Sequence, residues 1–327
     1  MTLEELIRSN DRSQLESLAL QDPIFGIDAD NVRDRIQTRL ALFHESYVAI
    51  ADLCTELKLS LSIETIWNLW LPLAMQIADW RQAKQHCLIQ GFLGGQGTGK
   101  TTLTRMLSII LKQIGYQSVS WSIDDLYLPY VDRVALRNRD PRLVRRGPPG
   151  THDVQLGIEI LTQFQQGNFP IALPRFDKSA YGGAGDRTNP ERINQADIVL
   201  FEGWFMGARP IVSEFNVAPI TTEVDRQFAR DMNEQLRNYV PLWELLDRLI
   251  VLYIPDYQLS KRWRKQAEHQ MIAQGKAGMS DVEIDQFVEY FWKALHPELF
   301  ITPMVEQSEN VDLILEIGSE HSFHRFK

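Results

Sequence analysis

The sequence predicts an α/β fold in which a mostly parallel sheet is flanked by helices, with an N-terminal helical extension. Two observations carry that class. From about residue 85 onward, short runs rich in β-branched and aromatic residues alternate with helical stretches, the rhythm of a parallel sheet covered on both faces. Before residue 85 the apolar residues recur at three-and-four spacing without such runs, which is the period of amphipathic helices alone.

In chain order, "NVRDRIQTRLALFHESYVAIADLCTELKL" and "IWNLWLPLAMQIADWRQ" read as two helices. The expected strands are residues 87–93, 118–123, 171–173, 198–201, 249–254 and 313–317. No Gly/Ser/Pro-rich linker separates the two parts, so residues 1–84 are expected to pack on a domain of residues 85–327. No internal repeat or low-complexity tract interrupts the chain.

The 327 residues carry 44% hydrophobic and 24% charged side chains, an ordinary globular balance. A net charge of −9 argues against nucleic acid or an anionic membrane as a bulk partner. Two cysteines, Cys54 and Cys87, are too few for a disulfide framework and wrongly spaced for zinc. The acidic N-terminus resembles neither a signal nor a transit peptide. The most apolar window, residues 65–80, is broken by Pro72 and is too short to span a bilayer. The expectation is a cytoplasmic protein without a membrane segment; the oligomeric state is left open.

"GGQGTGKTTL" matches the G-x-x-x-x-G-K-[ST] pattern at Gly94, Gly99, Lys100 and Thr101. Glycines let backbone N–H groups approach phosphate oxygens without a Cβ in the way. Lysine brings a point charge to the outer phosphates, and the threonine hydroxyl is a Mg²⁺ ligand. The run follows the expected strand "CLIQGFL" and opens the amphipathic "TTLTRMLSIILKQIG", so the loop stands at a helix N-terminus that favours anions. It is a P-loop of the NTPase fold, and Gly94, Gly95, Gln96, Gly97, Thr98, Gly99, Lys100, Thr101 and Thr102 are its expected ATP cradle.

Two acidic stations refine the chemistry. "VSWSIDDLYLP" brings a strand to Asp124 and Asp125, and "ADIVLFEGWF" brings another to Glu202. Ligands of open α/β sheets bind at the carboxyl ends of the strands. One such carboxylate is expected to hold Mg²⁺ and one to orient and deprotonate an attacking hydroxyl. The plain alternative is a turn or helix cap.

The "DDLY" after a strand and the "VLFEG" resemble the phosphoribulokinase, uridine kinase and pantothenate kinase group of P-loop kinases. Within that group, "SIDDLYL", "GPPGTHDVQLG", "LPRFDKSAYGGAGDR", "VLFEGWFMG", "WRKQAEHQM" and "GMSDVEIDQFV" are similar to D-glycerate 3-kinases of the plant and cyanobacterial type, in the expected order. The resemblance implies ATP-dependent phosphorylation of D-glycerate at the C3 hydroxyl, with Mg²⁺, in photorespiratory metabolism. It implies that Asp124 is the general base, that Asp125 and Tyr127 assist on the substrate side, and that Glu202 lies near Mg²⁺. Leu126 stands where these kinases more often carry Phe, a packing change.

A small hydroxy acid needs a cationic clamp for its carboxylate and acceptors for its hydroxyls. Arg175, Asp177, Lys178 and Arg187 surround the glycine-rich "GGAG", and "THD" offers His152 and Asp153. Arginine is the natural bidentate partner of a carboxylate; ordinary surface ion pairs are the alternative. Six arginines between Arg133 and Arg146 read as a loop drawing anionic ligands or as a plain solvated loop, since no aromatic residues interleave for stacking bases. "YQLSKRWRKQAEHQM" stands where related kinases carry an arginine lid, with Arg264 expected over the transferring phosphate and Arg262 as the alternative. Two rival functions stay open: a paralogous kinase of another small hydroxylated metabolite, and an NTPase acting as a switch for a partner. Against the second, Glu202 is followed by Gly203 and not by another acidic residue.

Overall fold

The computed structural model describes residues 1–21, 24–273, 275, 278–319 and 323–326. They gather in two compact units, one of Met1–Leu88, Thr101–Ser120 and Ala196–Val199, the other of Ile89–Lys100, Trp121–Gln195 and Leu200–Lys327.

The strands are β1 (Leu88–Gly94), β2 (Ser118–Ser122), β3 (Ile171–Leu173), β4 (Phe176–Asp177), β5 (Asp186–Arg187), β6 (Glu191–Ile193), β7 (Ile198–Gly203), β8 (Arg248–Tyr253), β9 (Leu313–Ile317) and β10 (Phe323–Phe326). Six of them form one sheet in the order β10-β9-β8-β1-β7-β2. β8 runs parallel to β1, with Phe92 opposite Ile250, and parallel to β9; β10 closes the edge antiparallel. Every residue of β1 and of β7 is buried, as central strands covered on both faces must be.

One expectation fails. Residues 171–173 do not join the parallel sheet: β3 pairs antiparallel with β6, Ile171 opposite Ile193, in a separate two-stranded ribbon. Its pattern is buried, exposed, buried, which is the signature of a half-covered strand and not of a central one.

In the first unit, α1 (Leu3–Ser9), α2 (Arg12–Gln21) and α3 (Val32–Leu57) precede α4 (Ile63–Thr65), which runs through a π turn at Ile66–Trp70 into α5 (Leu71–Gln82). Pro72 sits in the first turn of α5, where its missing N–H costs no helical bond. This unit also contains α6 (Lys100–Ile114), the helix after the glycine loop, from Thr101 onward, and Arg105 of α6 pairs with Glu56 of α3 at 2.8 Å. One face of α6, including Leu103, Met106, Leu107, Ile110 and Leu111, is buried, and Gly115 ends the helix with φ 103°.

The second unit adds α7 (Tyr130–Arg139), α8 (Val154–Gln166), α9 (Glu223–Gln235), α10 (Val240–Trp243), α11 (Leu259–Ala273), α12 (Asp281–Ala294) and α13 (Pro297–Gln307). Its core stacks Trp121 on Phe201 with centroids 4.6 Å apart. No helix among the described residues is long and apolar enough to cross a membrane.

Candidate active site

The loop between β1 and α6 turns through Gly97 and Gly99, at φ 81° and 80°, a region open to glycine and strained for other residues. Thr98 is buried and its Oγ1 donates to Gly95 O at 2.9 Å, tying the loop from within. Lys100 Nζ donates to the same carbonyl at 2.9 Å and lies 4.0 Å from Glu202 Oε2. Burial lowers the Lys100 ammonium from its ordinary value, while Glu202 and Asp124 oppose that loss. A largely buried cation beside Glu202 in a glycine turn at a helix N-terminus suits a polyphosphate.

β2 ends in a short helical turn, Ile123–Leu126, that separates the two adjacent aspartates. Asp125 acts as a brace: its carboxylate accepts from Ser122 N at 3.3 Å, Phe176 N at 3.1 Å and Arg175 Nη1 at 3.1 Å. Burial nonetheless raises its pKa against those bonds. Asp124 accepts from Lys178 Nζ at 2.6 Å on one oxygen and from Tyr127 Oη at 2.7 Å on the other. Burial works against its charge, but Lys178 and Tyr127 hold its pKa below the ordinary carboxylate value. Tyr127 itself stays a phenol, since burial and the Asp124 charge push its pKa well up.

The expected substrate residues are brought together, but mostly onto one another. Arg175 pairs with Glu191, at 2.6 Å, as well as with Asp125. Arg187 donates from Nη2 to Asp153 at 2.9 Å and from Nε to Tyr127 O at 3.0 Å. Asp153 also caps α8 by accepting from Leu156 N at 3.1 Å. Asp177 accepts from Ser179 N and Oγ at 2.8 and 2.6 Å, fixing the turn that carries Lys178. In this structure Arg175 and Arg187 thus hold acidic partners of the same wall that carries Asp124 and Lys178. His152 is buried, stacks on Tyr127 at 4.7 Å, and places Nδ1 2.8 Å from Tyr239 Oη. Desolvation lowers its pKa to about 3, so it is neutral at physiological pH.

The arginine-rich stretch is not an open loop. Much of it is helix α7, and two of its members hold the "GGAG" carbonyls. Arg133 donates to Ala184 O at 2.7 Å and to Gly185 O, and Arg146 to Gly183 O at 2.8 Å. The turn needs glycine at 185, where a Cβ would stand 2.3 Å from Phe176 Cε1. The basic residues of α11 are engaged too: Lys261 with Glu289 at 2.6 Å, Lys265 with Asp285 at 2.9 Å, and Arg264 with the buried Glu268.

Sequence reasoning missed Tyr239, which lies in "NYVPLW", a run with no polar pattern to announce it. The locking roles of Arg133 and Arg146 were also missed, because their partners are backbone carbonyls. Among the described residues no group of three or more His, Cys, Asp or Glu could hold a metal alone. Mg²⁺ takes one or two protein oxygens and completes its shell with phosphate and water, and the buried Glu202 carboxylate beside Lys100 is a hard oxygen donor of that kind.

No family model matches the chain. Over 249 residues it is 35% identical to the chloroplastic D-glycerate 3-kinase of Arabidopsis thaliana, a match covering 72% of this chain and 53% of that protein. The chain thus spans about half the length of that relative. Over 233 residues it is 33% identical to the "probable ATP-dependent kinase TDA10" of Saccharomyces cerevisiae, covering 66% of this chain and 79% of that one. A solved D-glycerate 3-kinase from Cryptococcus neoformans superposes with a TM-score of 0.67 at 26% identity, covering 78% of this chain and 99% of that one.

Proposed function

The chain belongs to the P-loop kinase family of these relatives, and from that premise we propose that it transfers the γ-phosphoryl group of ATP to the C3 hydroxyl of D-glycerate, giving 3-phosphoglycerate. The relatives named as glycerate kinases support the substrate. The observation that carries the chemistry is Asp124, a carboxylate at the end of β2 kept ionised by Lys178 and Tyr127. A base of that kind, near the P-loop lysine, fits deprotonation of an alcohol.

In this reading the residues from Gly94 to Thr102 cradle ATP, with Lys100 on the outer phosphates. The acceptor's hydroxyl oxygen forms a bond to the γ-phosphorus as the bond from that phosphorus to the ADP oxygen breaks, and its proton passes to Asp124. Thr101 and Glu202 would hold Mg²⁺, which supplies positive charge to the phosphates when bound. Lys178 stays on Asp124 and has further N–H donors for the acceptor's carboxylate. Tyr127 and His152 line the acceptor side, while Asp125, Asp153, Arg175, Asp177 and Arg187 hold that wall in shape. Arg264, or Arg262, reaches the transferring phosphate if α11 shifts, which for Arg264 requires release of Glu268. Residues 1–84 are read as a helical region packed on the kinase domain of residues 85–327, with the Arg105–Glu56 pair in support. A cytoplasmic, photorespiratory setting belongs to the same proposal.

A coupled ADP-release assay over D-glycerate, ribulose 5-phosphate, uridine and pantothenate tests it. Glycerate is expected to give the highest kcat/KM, and ADP release independent of any acceptor would favour an NTPase instead.

A further inference from the structure

Near the proposed base, one buried side chain has a polar atom with no hydrogen-bond partner among the described residues. His152 is 5% exposed, and its Nε2 makes no hydrogen bond among the described residues. Its other nitrogen, Nδ1, lies 2.8 Å from Tyr239 Oη, and that oxygen accepts Gly150 N at 2.9 Å. The hydrogen count decides the tautomer. If Nδ1 carried the proton and donated to Tyr239, the phenol hydrogen would be left without an acceptor and Nε2 would be a bare lone pair. If Tyr239 donates to Nδ1, only one group is orphaned, the Nε2–H donor. An unmet buried polar group costs about 1–3 kcal/mol, so the arrangement with one orphan wins.

The ring that carries this donor packs one residue away from the proposed base. The imidazole stacks on Tyr127, whose hydroxyl donates to Asp124 Oδ1 at 2.7 Å, and Asp124 is near enough for its charge to act on the ring. Resting on the kinase reading above, we propose that Tyr239 locks His152 as the Nε2–H tautomer, and that this N–H donates to an oxygen of the phosphoryl acceptor. Tyr239 is then a positioning residue and His152 a specificity-determining one. The ring's lowered pKa agrees, because a neutral imidazole keeps a single donor across the physiological range. Such a donor favours acceptors that present a hydroxyl or carboxylate oxygen there and leaves an unmet N–H with any that does not.

The test separates this inference from the substrate reading. His152→Gln keeps an N–H near the Nε2 position, whereas His152→Asn moves its amide to the Nδ1 side. KM for glycerate is expected to stay within about threefold in His152→Gln and to rise about tenfold in His152→Asn, with KM for ATP unchanged in both. Nitrogen-15 NMR of the histidine rings is expected to show His152 protonated at Nε2 in the parent chain, with a mixture of tautomers in Tyr239→Phe. Equal KM values in the Gln and Asn variants, or a parent ring protonated at Nδ1, would overturn the inference while leaving glycerate turnover intact. A parent chain inert toward glycerate would instead overturn the substrate reading, and the ring's protonation alone would then decide the tautomer.

Discussion

Lys178 Nζ and Tyr127 Oη occupy the two oxygens of Asp124, at 2.6 and 2.7 Å. The lysine comes from the turn after β4 and the tyrosine from three residues along the chain, so two separate segments hold one carboxylate ionised. Lys178 lowers the Asp124 pKa against the burial that would raise it. In Lys178→Met that support is gone and the carboxyl titrates at higher pH. The acid limb of kcat/KM is therefore expected to move to higher pH, read from a rate profile of purified variant and parent. The sign is the same for stability. A carboxyl depressed in the folded state stabilises the fold above its unfolded pKa and loses that contribution as pH falls through the folded one. An acid limb that stays in place would detach Lys178 from the base.

The two adjacent aspartates are expected to separate cleanly. Asp124→Asn removes the proton acceptor and lowers kcat by about 10²–10⁴-fold with little change in KM for ATP. Asp125→Asn instead weakens a brace that joins Ser122, Phe176 and Arg175. It is expected to destabilise the fold by about 1–3 kcal/mol in urea titration while lowering kcat less. The reverse ranking would move the base by one residue.

Lys100→Ala leaves the fold in place, because the side chain contacts a loop carbonyl and not the apolar core. Phosphoryl transfer is expected to fall by about 10²–10³-fold. A variant that turned over like the parent would contradict the phosphate cradle.

Arg175 and Arg187 pair with Asp125, Glu191 and Asp153 in this structure, so their removal also tests a bracing role. Arg187→Leu frees Asp153, the cap of α8, and unties Tyr127 O. KM for glycerate is expected to rise about tenfold together with a lower melting temperature. A direct carboxylate clamp would instead raise KM with no loss of stability, so parallel thermal and kinetic measurements tell the two apart.

These contrasts show what the residue pattern carried. The P-loop was legible because its chemistry is local: a strand, a glycine turn and a helix in unbroken order. Asp124 and Asp125 were legible as a pair, and the resemblance gave them different parts, but the partners of each were not, since a turn with Ser122 as its cap sets them. Residues 171–173 were misplaced because a three-residue apolar run names no partner, and Ile193 lies 22 positions away. Arg133 and Arg146 read as free charge because carbonyl acceptors leave no mark in sequence. Tyr239 left none either; only folding brings it to His152.

The most direct test of the central claim is phosphorus–proton correlation NMR on the product formed from ATP and D-glycerate by the purified chain. The account predicts a new phosphoester whose phosphorus couples to the C3 methylene protons. Coupling to the C2 methine proton would contradict the C3 assignment. No phosphoester from glycerate, in a chain that phosphorylates uridine or pantothenate, would contradict the function itself.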